Sequence, residues 1–408
     1  MTIVRPRIFG FAIVCLAFWQ VPSAQAQLTA PREAAQLQFG PLSIYPSLRV
    51  VDVGIDDNVF NDTVAERDDY TFTIASRVMG VLKMGANELM VSGGGDYVWF
   101  KDYASQRSTN ANYGLRFNMS ASRFKPFVGG ERIHTRTRPN VEIDTRARRV
   151  ENLVLAGTNF DISDRMALTA TAQYSDSTYE DGEQFRGVQL DEVLNQTART
   201  YTAGVRYAVT PLTTVSVLGN YREDIFTNSP LRNSKSYSVT PMVEFAPEAT
   251  IRGRFAAGYE LFAPDDPELA EHRGLVFEGN VNWSLAARTT LDVTARRHVN
   301  YSYQDTEPMY LQTGVRLLVT QRLFGPLGVQ GSIERQYLSY RWLHGVPPMP
   351  GIDARHDTAD ILGGGVLVDL GRGFSVLFGA ERMKRSSEQD LRQNFNRTRI
   401  ITNITIGQ

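Results

Sequence analysis

Cysteine is almost missing from this chain. Its one cysteine among 408 residues, Cys15, lies in the N-terminal leader. There Arg5 and Arg7 precede an apolar core over residues 8–19, and Ser23-Ala24-Gln25-Ala26 ends in the small-x-small pattern that signal peptidase cuts. Val14 stands before Cys15, where a lipoprotein signal needs a small residue, which argues against lipidation. Cleavage after Ala26 leaves residues 27–408 without cysteine, which excludes disulfides, thiol catalysis and cysteine-ligated metals together.

Long hydrophobic runs are absent too. Nothing after residue 26 is long enough for a membrane helix, and the leader's own core is short for one. Charge of one sign is lacking: with Arg5 and Arg7 removed, 41 basic side chains stand against 44 acidic ones, a balance that does not argue for nucleic acid. Histidine is scarce. His134, His272, His298, His344 and His356 are the five, none in a hydrolase motif, so no catalytic residue, metal or cofactor is assigned. No Pro/Ser-rich hinge or charge block divides the 382 residues that follow the leader.

What the chain has is alternation. Over residues 111–122, Tyr113, Leu115, Phe117, Met119 and Ala121 take the odd positions, while Asn112, Arg116, Asn118 and Ser120 take even ones. A strand sends successive side chains to opposite faces, so this stretch has one oily and one wet face. The pattern recurs eighteen times between Phe39 and the C-terminus, with eight short turns and nine longer loops in strict alternation. Lys125-Pro126, Thr210-Pro211 and Phe324-Gly325-Pro326 read as turns; 56–69, 180–195, 264–273 and 343–354 read as loops. Short turns at one rim and long loops at the other are the layout of an outer-membrane barrel. The fold class is therefore all-β, a single-chain antiparallel up-and-down transmembrane β-barrel of about 18 strands (16–18) over residues 39–408. Residues 1–26 are the signal peptide and 27–38 a short periplasmic lead-in. In the first strand the oily set moves from even positions (Leu48, Val50) to odd ones (Val53, Ile55), which predicts a β-bulge near Val50–Val51.

The two faces then acquire solvents. Aromatic rings such as Trp99, Tyr174, Tyr207, Trp283 and Tyr301 cluster near strand ends on the oily face, where a membrane–water interface would hold them. An arginine at mid-depth on a lipid face costs roughly 2–4 kcal/mol. Arg116, Arg206, Arg252, Arg254, Arg296 and Arg316 instead fall on the polar phase, with Glu244, Glu260, Glu278, Asp292 and Glu334. These eleven are the candidate lumen-facing binding residues. Two readings fit them: a charged pore that orders anionic solutes, or an internal salt-bridge lattice that blocks the middle. Arg297 and Arg335 lie on the oily phase and are expected to snorkel. The acidic loops (Asp56, Asp57, Asp62, Glu66, Asp68, Asp69; Asp265, Asp266, Glu268, Glu271) read as solvated surface facing lipopolysaccharide. An inward loop at 343–354, with Pro347-Pro348, is expected to narrow the lumen.

One segment is more specific. Ile44-Tyr45-Pro46-Ser47-Leu48, followed by Asp56-Asp57-Asn58-Val59-Phe60, resembles the opening of the putative β-barrel porin 2 family of bacterial outer-membrane proteins. The resemblance implies a Gram-negative outer-membrane barrel with a signal peptide. Its implied partners are membrane lipid, lipopolysaccharide, and polysaccharide or its periplasmic export machinery. The chain departs from the usual barrel ending, finishing Ile406-Gly407-Gln408 without a terminal aromatic. The function expected is a porin-like channel passing small polar or anionic solutes or secreted polysaccharide, not an enzyme. The alternative is a non-conducting interaction barrel linked to exopolysaccharide or capsule secretion. N-terminal sequencing of the exported protein should begin at Gln27; a start at Met1 would refute the cleaved leader.

Overall fold

A chain that alternates oily and wet side chains satisfies lipid and water at once only as a strand between the two. The computed structural model describes residues 37–269, 271–286, 288–342, 354–371 and 373–407. Its barrel strands are β1 (Leu42–Asp56), β2 (Asp69–Met84), β3 (Asn87–Phe100), β4 (Ser108–Asn118), β5 (Phe124–Thr137) and β6 (Ala147–Asp161). They continue as β7 (Met166–Tyr179), β8 (Gln196–Thr210), β9 (Thr213–Phe226), β10 (Ser234–Phe245), β11 (Ile251–Pro264) and β12 (His272–Ala286). The last six are β13 (Thr289–Tyr301), β14 (Met309–Arg322), β15 (Leu327–Arg341), β16 (His356–Gly371), β17 (Phe374–Ser387) and β18 (Phe395–Ile406). Each pairs antiparallel with the next, and β1 pairs with β18 from Leu48↔Ile406 to Asp56↔Arg399, which closes an 18-stranded barrel.

The eight short turns lie at one rim and the nine longer loops at the other. Loops L1 to L9 are numbered in order, L1 being 57–68 and L9 388–394. L4 (180–195) is more than a loop: it holds a small hairpin, Gln184–Phe185 with Val188–Gln189, and a helical turn, α1 (Leu190–Leu194). Large apolar side chains such as Leu115, Val154, Val239 and Leu362 project outward and exposed, as a lipid-facing wall requires.

Three boundaries differ from the alternation. Phe39 is not in the first strand; a stub, Leu37–Phe39, turns at Gly40 and pairs back on β1. Lys125 and Pro126 are not a turn. The strand expected to run to Ser122 ends at Asn118, the chain reverses over 119–123 with Ser122 at φ 53°, and Pro126 sits inside β5 opposite Thr158. Its carbonyl accepts the Met119 N–H at 2.8 Å, so proline serves the ladder as acceptor and its missing donor costs nothing there. The loop expected at 343–354 lies outside the described residues, apart from Ala354.

The predicted bulge is present, and it sits on the closing seam. Pairing with β18 shifts between Val50 and Val53, and pairing with β2 between Val51 and Gly54. Asp52 takes φ 55°, and its freed groups are met elsewhere: its N–H donates to Asn403 Oδ1 at 2.8 Å and its carbonyl accepts from Thr71 Oγ1 at 3.0 Å. Just above, Arg397 Nε donates to both carboxylate oxygens of Asp56 at 2.8 and 3.0 Å, and both side chains are buried. Arg399 bridges Glu381 at 3.0 Å and Asp52 at 3.3 Å. Removing one carboxylate from such a buried pair is costly. Asp56→Ala should lower the unfolding free energy by about 3–5 kcal/mol, read by guanidinium titration of the detergent-folded barrel; a loss under about 1 kcal/mol would contradict this role.

Candidate functional site

The inward face of each strand is set by the same alternation. All eleven sequence-predicted residues lie on the inward phase, and most of them meet one another. Arg206 reaches Glu244 at 3.4 Å, while Arg254–Glu278 and Arg316–Glu334 are looser at 3.9 Å. Arg252 bonds Asn282, which donates to Asp292 at 2.5 Å. Arg116 lies over the Phe127 ring at 4.3 Å and donates to Asn118 at 2.9 Å. Glu260 stands opposite Ser238 and Gly274. Arg296 and Glu334 belong to a different constellation, which sequence reasoning missed.

That constellation is built by L3 (138–146). The loop does not stand out in solvent; it folds into the barrel. Arg138 donates to Asp144 O at 2.6 Å, which curls the loop, and to Val59 O of L1 at 2.7 Å. Asn140 Oδ1 accepts the Ile143 N–H at 2.7 Å. Val141 packs against Ala359, Ile361, Met383 and Phe395 on the far wall. Arg385 of β17 donates to Val141 O at 2.5 Å and to Glu142 O at 3.0 Å, and it shares Asp357 with Arg355. L3 thus crosses from β5–β6 to the β16–β18 wall. Beneath it lies a cavity of about 20 Å³, room for roughly one water, lined by Asn61, Arg138, Asn140, Asp144, Arg296, Glu334 and Arg397 among others. Three arginines and two carboxylates line it, and Arg397 is already paired with Asp56.

The mouth above L3 is roofed. Ile143 of L3, Phe185, Leu190 and Leu194 of L4, Phe226, and Tyr303 of L7 (302–308) form one buried apolar cluster. Phe185 meets Tyr303 edge-on at 4.9 Å. Arg186 at the L4 tip bonds the Arg392 carbonyl and approaches Asp390 at 3.9 Å, both in L9. Arg232 of L5 (227–233) donates to Ser302 O and to Asp305, each at 2.9 Å. Loops rooted on opposite sides of the barrel therefore hold one another over the lumen. A concavity of about 970 Å³ on the outer wall, lined by Ala170, Ala172, Ala203 and Gly219 under Tyr201, Tyr221 and Tyr237, faces lipid and is no part of the lumen.

The acidic residues divide between a solvated surface and a structural role. Asp69 is buried and accepts the N–H groups of Lys101, Asp102 and Tyr103 at 3.1 Å, Asp62 accepts those of Val64 and Ala65, and Asp57 accepts that of Thr398. These carboxylates replace missing backbone partners where strands give way to loops. Asp57, Glu66, Asp68, Asp265, Glu268 and Glu271 remain exposed, as a solvated surface requires. Sequence signals for L3 existed: Val141 and Ile143 keep the apolar alternation inside a loop crowded with arginine.

Burial sets the electrostatics of L3. Glu142 is fully buried; Ser302 Oγ donates to its Oε1 at 2.6 Å, and Oε2 has no hydrogen-bond partner among the described residues. Desolvation pushes its carboxyl up to about 7, against the pull of Arg355, the Ser302 bond and Arg385, and with a push from Asp357. Burial likewise raises Asp144, and with the nearby Arg397 charge it draws the Arg138 guanidinium down to about 9. A carboxyl raised in the docked loop holds a proton that the undocked loop releases. Docking is therefore at full strength below the ordinary value of 4.5 and weakens as pH rises from there to about 7.

The chain resembles the Pseudomonas aeruginosa protein OccK3 (OpdO) at 12% identity, covering 90% of this chain and 95% of that one, with a TM-score of 0.47. It resembles OpdK of the same organism, solved with vanillate, at 8% identity over 90% and 99% of the two chains and a TM-score of 0.48. Pseudomonas aeruginosa OprD gives 11% identity over 89% and 95%, with a TM-score of 0.48. So loose a likeness carries no argument about cargo. No individually curated protein matches the sequence. The family model described as "Putative beta-barrel porin 2" matches residues 30–407. A spin label at residue 140 should be more mobile at pH 8 than at pH 5.5, and Glu142→Gln should abolish the difference; equal mobility at both pH values in the unaltered protein would contradict the docking account.

Proposed function

The chain belongs to the putative beta-barrel porin 2 family, and from that premise we propose that it is a passive outer-membrane channel for small polar, chiefly anionic, solutes. The observation that carries this reading is the arginine cluster beneath L3, where Arg138, Arg296 and Arg397 line one constriction with Asp144 and Glu334, Arg397 being paired with Asp56. An anion entering there exchanges part of its water for guanidinium N–H contacts, which a cation cannot use. Along the rest of the wall the paired charges hold a polar surface without a strong net field. The leader is cleaved on export, and the lumen residues work without cofactor or metal. No catalysis is part of this reading; His134 and His356 stack on Tyr113 and Tyr337 on the outward face.

A second reading is a barrel that binds surface polymer or a periplasmic partner of exopolysaccharide or capsule secretion. The roof favours it, because L4 reaches across the mouth to L9. The two readings separate in planar bilayers. The channel reading expects small, brief current steps with anions preferred over cations, longer openings in Arg186→Ala, and weaker anion preference in Arg138→Gln. Stable insertion with no current steps, both in the unaltered protein and after shortening L4, would defeat the channel and leave the binding barrel.

A further inference from the structure

The outward wall carries a pattern that the channel reading does not use. The ascending strands can be compared at one height, eight residues beyond the first residue of each. There β7, β9 and β11 place Tyr174, Tyr221 and Tyr259, whereas β13, β15 and β17 place Arg297, Arg335 and Arg382; β3 and β5 place Gly95 and Arg132, the latter bonded to His134. The interfacial girdle thus changes abruptly from a tyrosine arc to an arginine arc. Tyrosine settles at a bilayer interface unaided; a guanidinium there needs a counter-charge or water.

The protein supplies one counter-charge to this arc. Arg335 donates to Asp360 through Nε at 2.7 Å and through its terminal nitrogen at 3.0 Å. Asp360 stands opposite Lys384 on its other side. Arg382 and Lys384 project outward from β17 and make no ion pair with another described residue. Arg297 bonds only neutral oxygens, Leu275 O at 3.1 Å and Thr313 Oγ1 at 2.9 Å. Four cations therefore share one carboxylate on this face.

Below the cations the wall is shaped as well as oily. The outward row Ile333–Leu362–Arg382 lies over the row Gly331–Gly364–Ala380, and Val329–Val366–Phe378 lies below that. Ile333, Leu362 and Phe378 are exposed, while a side chain at Gly331 would meet nothing within 4 Å. The small residues leave a shallow trough between two ridges.

We propose that the arginine arc, with Lys384, binds the phosphate of an outer-leaflet glycolipid whose acyl chains lie over the Gly331–Gly364–Ala380 trough. The guanidinium fork matches phosphate oxygens, and the oily ridges begin one row beneath it, so headgroup and tail are recognised together. Free phosphate would use the cations alone.

Native mass spectrometry on the full-length protein in detergent tests this, with diphosphoryl lipid A as probe. Folding of each variant is verified by its heat-dependent gel mobility. Arg382→Gln/Lys384→Gln should weaken binding about tenfold or more. Lipid A stripped of its phosphates should bind the unaltered protein as weakly as diphosphoryl lipid A binds that variant. Gly331→Phe, which fills the trough and leaves the charge alone, should also weaken binding, and Tyr221→Phe on the opposite arc should not. Millimolar inorganic phosphate should displace none of the lipid. Unchanged binding in the folded double variant, equal binding of the dephosphorylated lipid, or displacement by inorganic phosphate would each overturn the proposal.

Discussion

Everything in this molecule depends on leaving no backbone N–H or C=O unpaired in hydrocarbon. Water is not there to substitute, and each unmet group costs several kcal/mol. Seventeen of the eighteen strand pairs join neighbours in sequence; the β1–β18 pair alone must be found across the whole chain. It is also the pair with the bulge, and the side chains around it read as repairs. Asn403 and Thr71 answer the groups that Asp52 frees, and Asp56, Glu381 and Asp52 hold Arg397 and Arg399. The acids of the opening segment thus secure the closure of the barrel.

Closure creates an interior, and the interior creates a second problem. A wide polar lumen offers little for a loop to pack on, yet L3 reaches the far wall. It does so by bringing apolar side chains to both ends of its path, Ile143 under L4 and Val141 against Ile361 and Met383. Its exposed carbonyls are taken by Arg385, itself held by Asp357. A buried charge is tolerable only with such partners. Glu142, with one oxygen unpartnered among the described residues, is the weak point of that arrangement and the place where pH acts.

The barrel was legible in the sequence because its rule is local. Alternation needs only two neighbours to be visible, and even the bulge announced itself as a change of phase at Val50–Val53. Sequence and structure part where local chemistry points one way and pairing another. Pro126 looked like a turn because proline lacks a donor, but its strand position requires none. Asp62 and Asp69 read as solvated because composition cannot show which backbone groups lie near them. The candidate lumen arginines were placed on the inward face, but their partners were set by register across strands. L3 was hidden for a stronger reason: its contacts join residue 141 to residues 359–395, and nothing in the loop itself states that distance.

The passage of L3 across the lumen is the claim on which the constriction, its arginine cluster and the pH response all rest. A cross-link tests it directly, and the absence of cysteine after Cys15 makes the experiment clean. Val141→Cys combined with Ile361→Cys, treated with a short bis-thiol reagent in outer-membrane vesicles, should give a linked species of altered gel mobility that neither single variant gives. Failure to link, with the thiol introduced at position 141 labelled by a water-soluble reagent as fast as one in an open loop, would show that L3 stands outside the lumen.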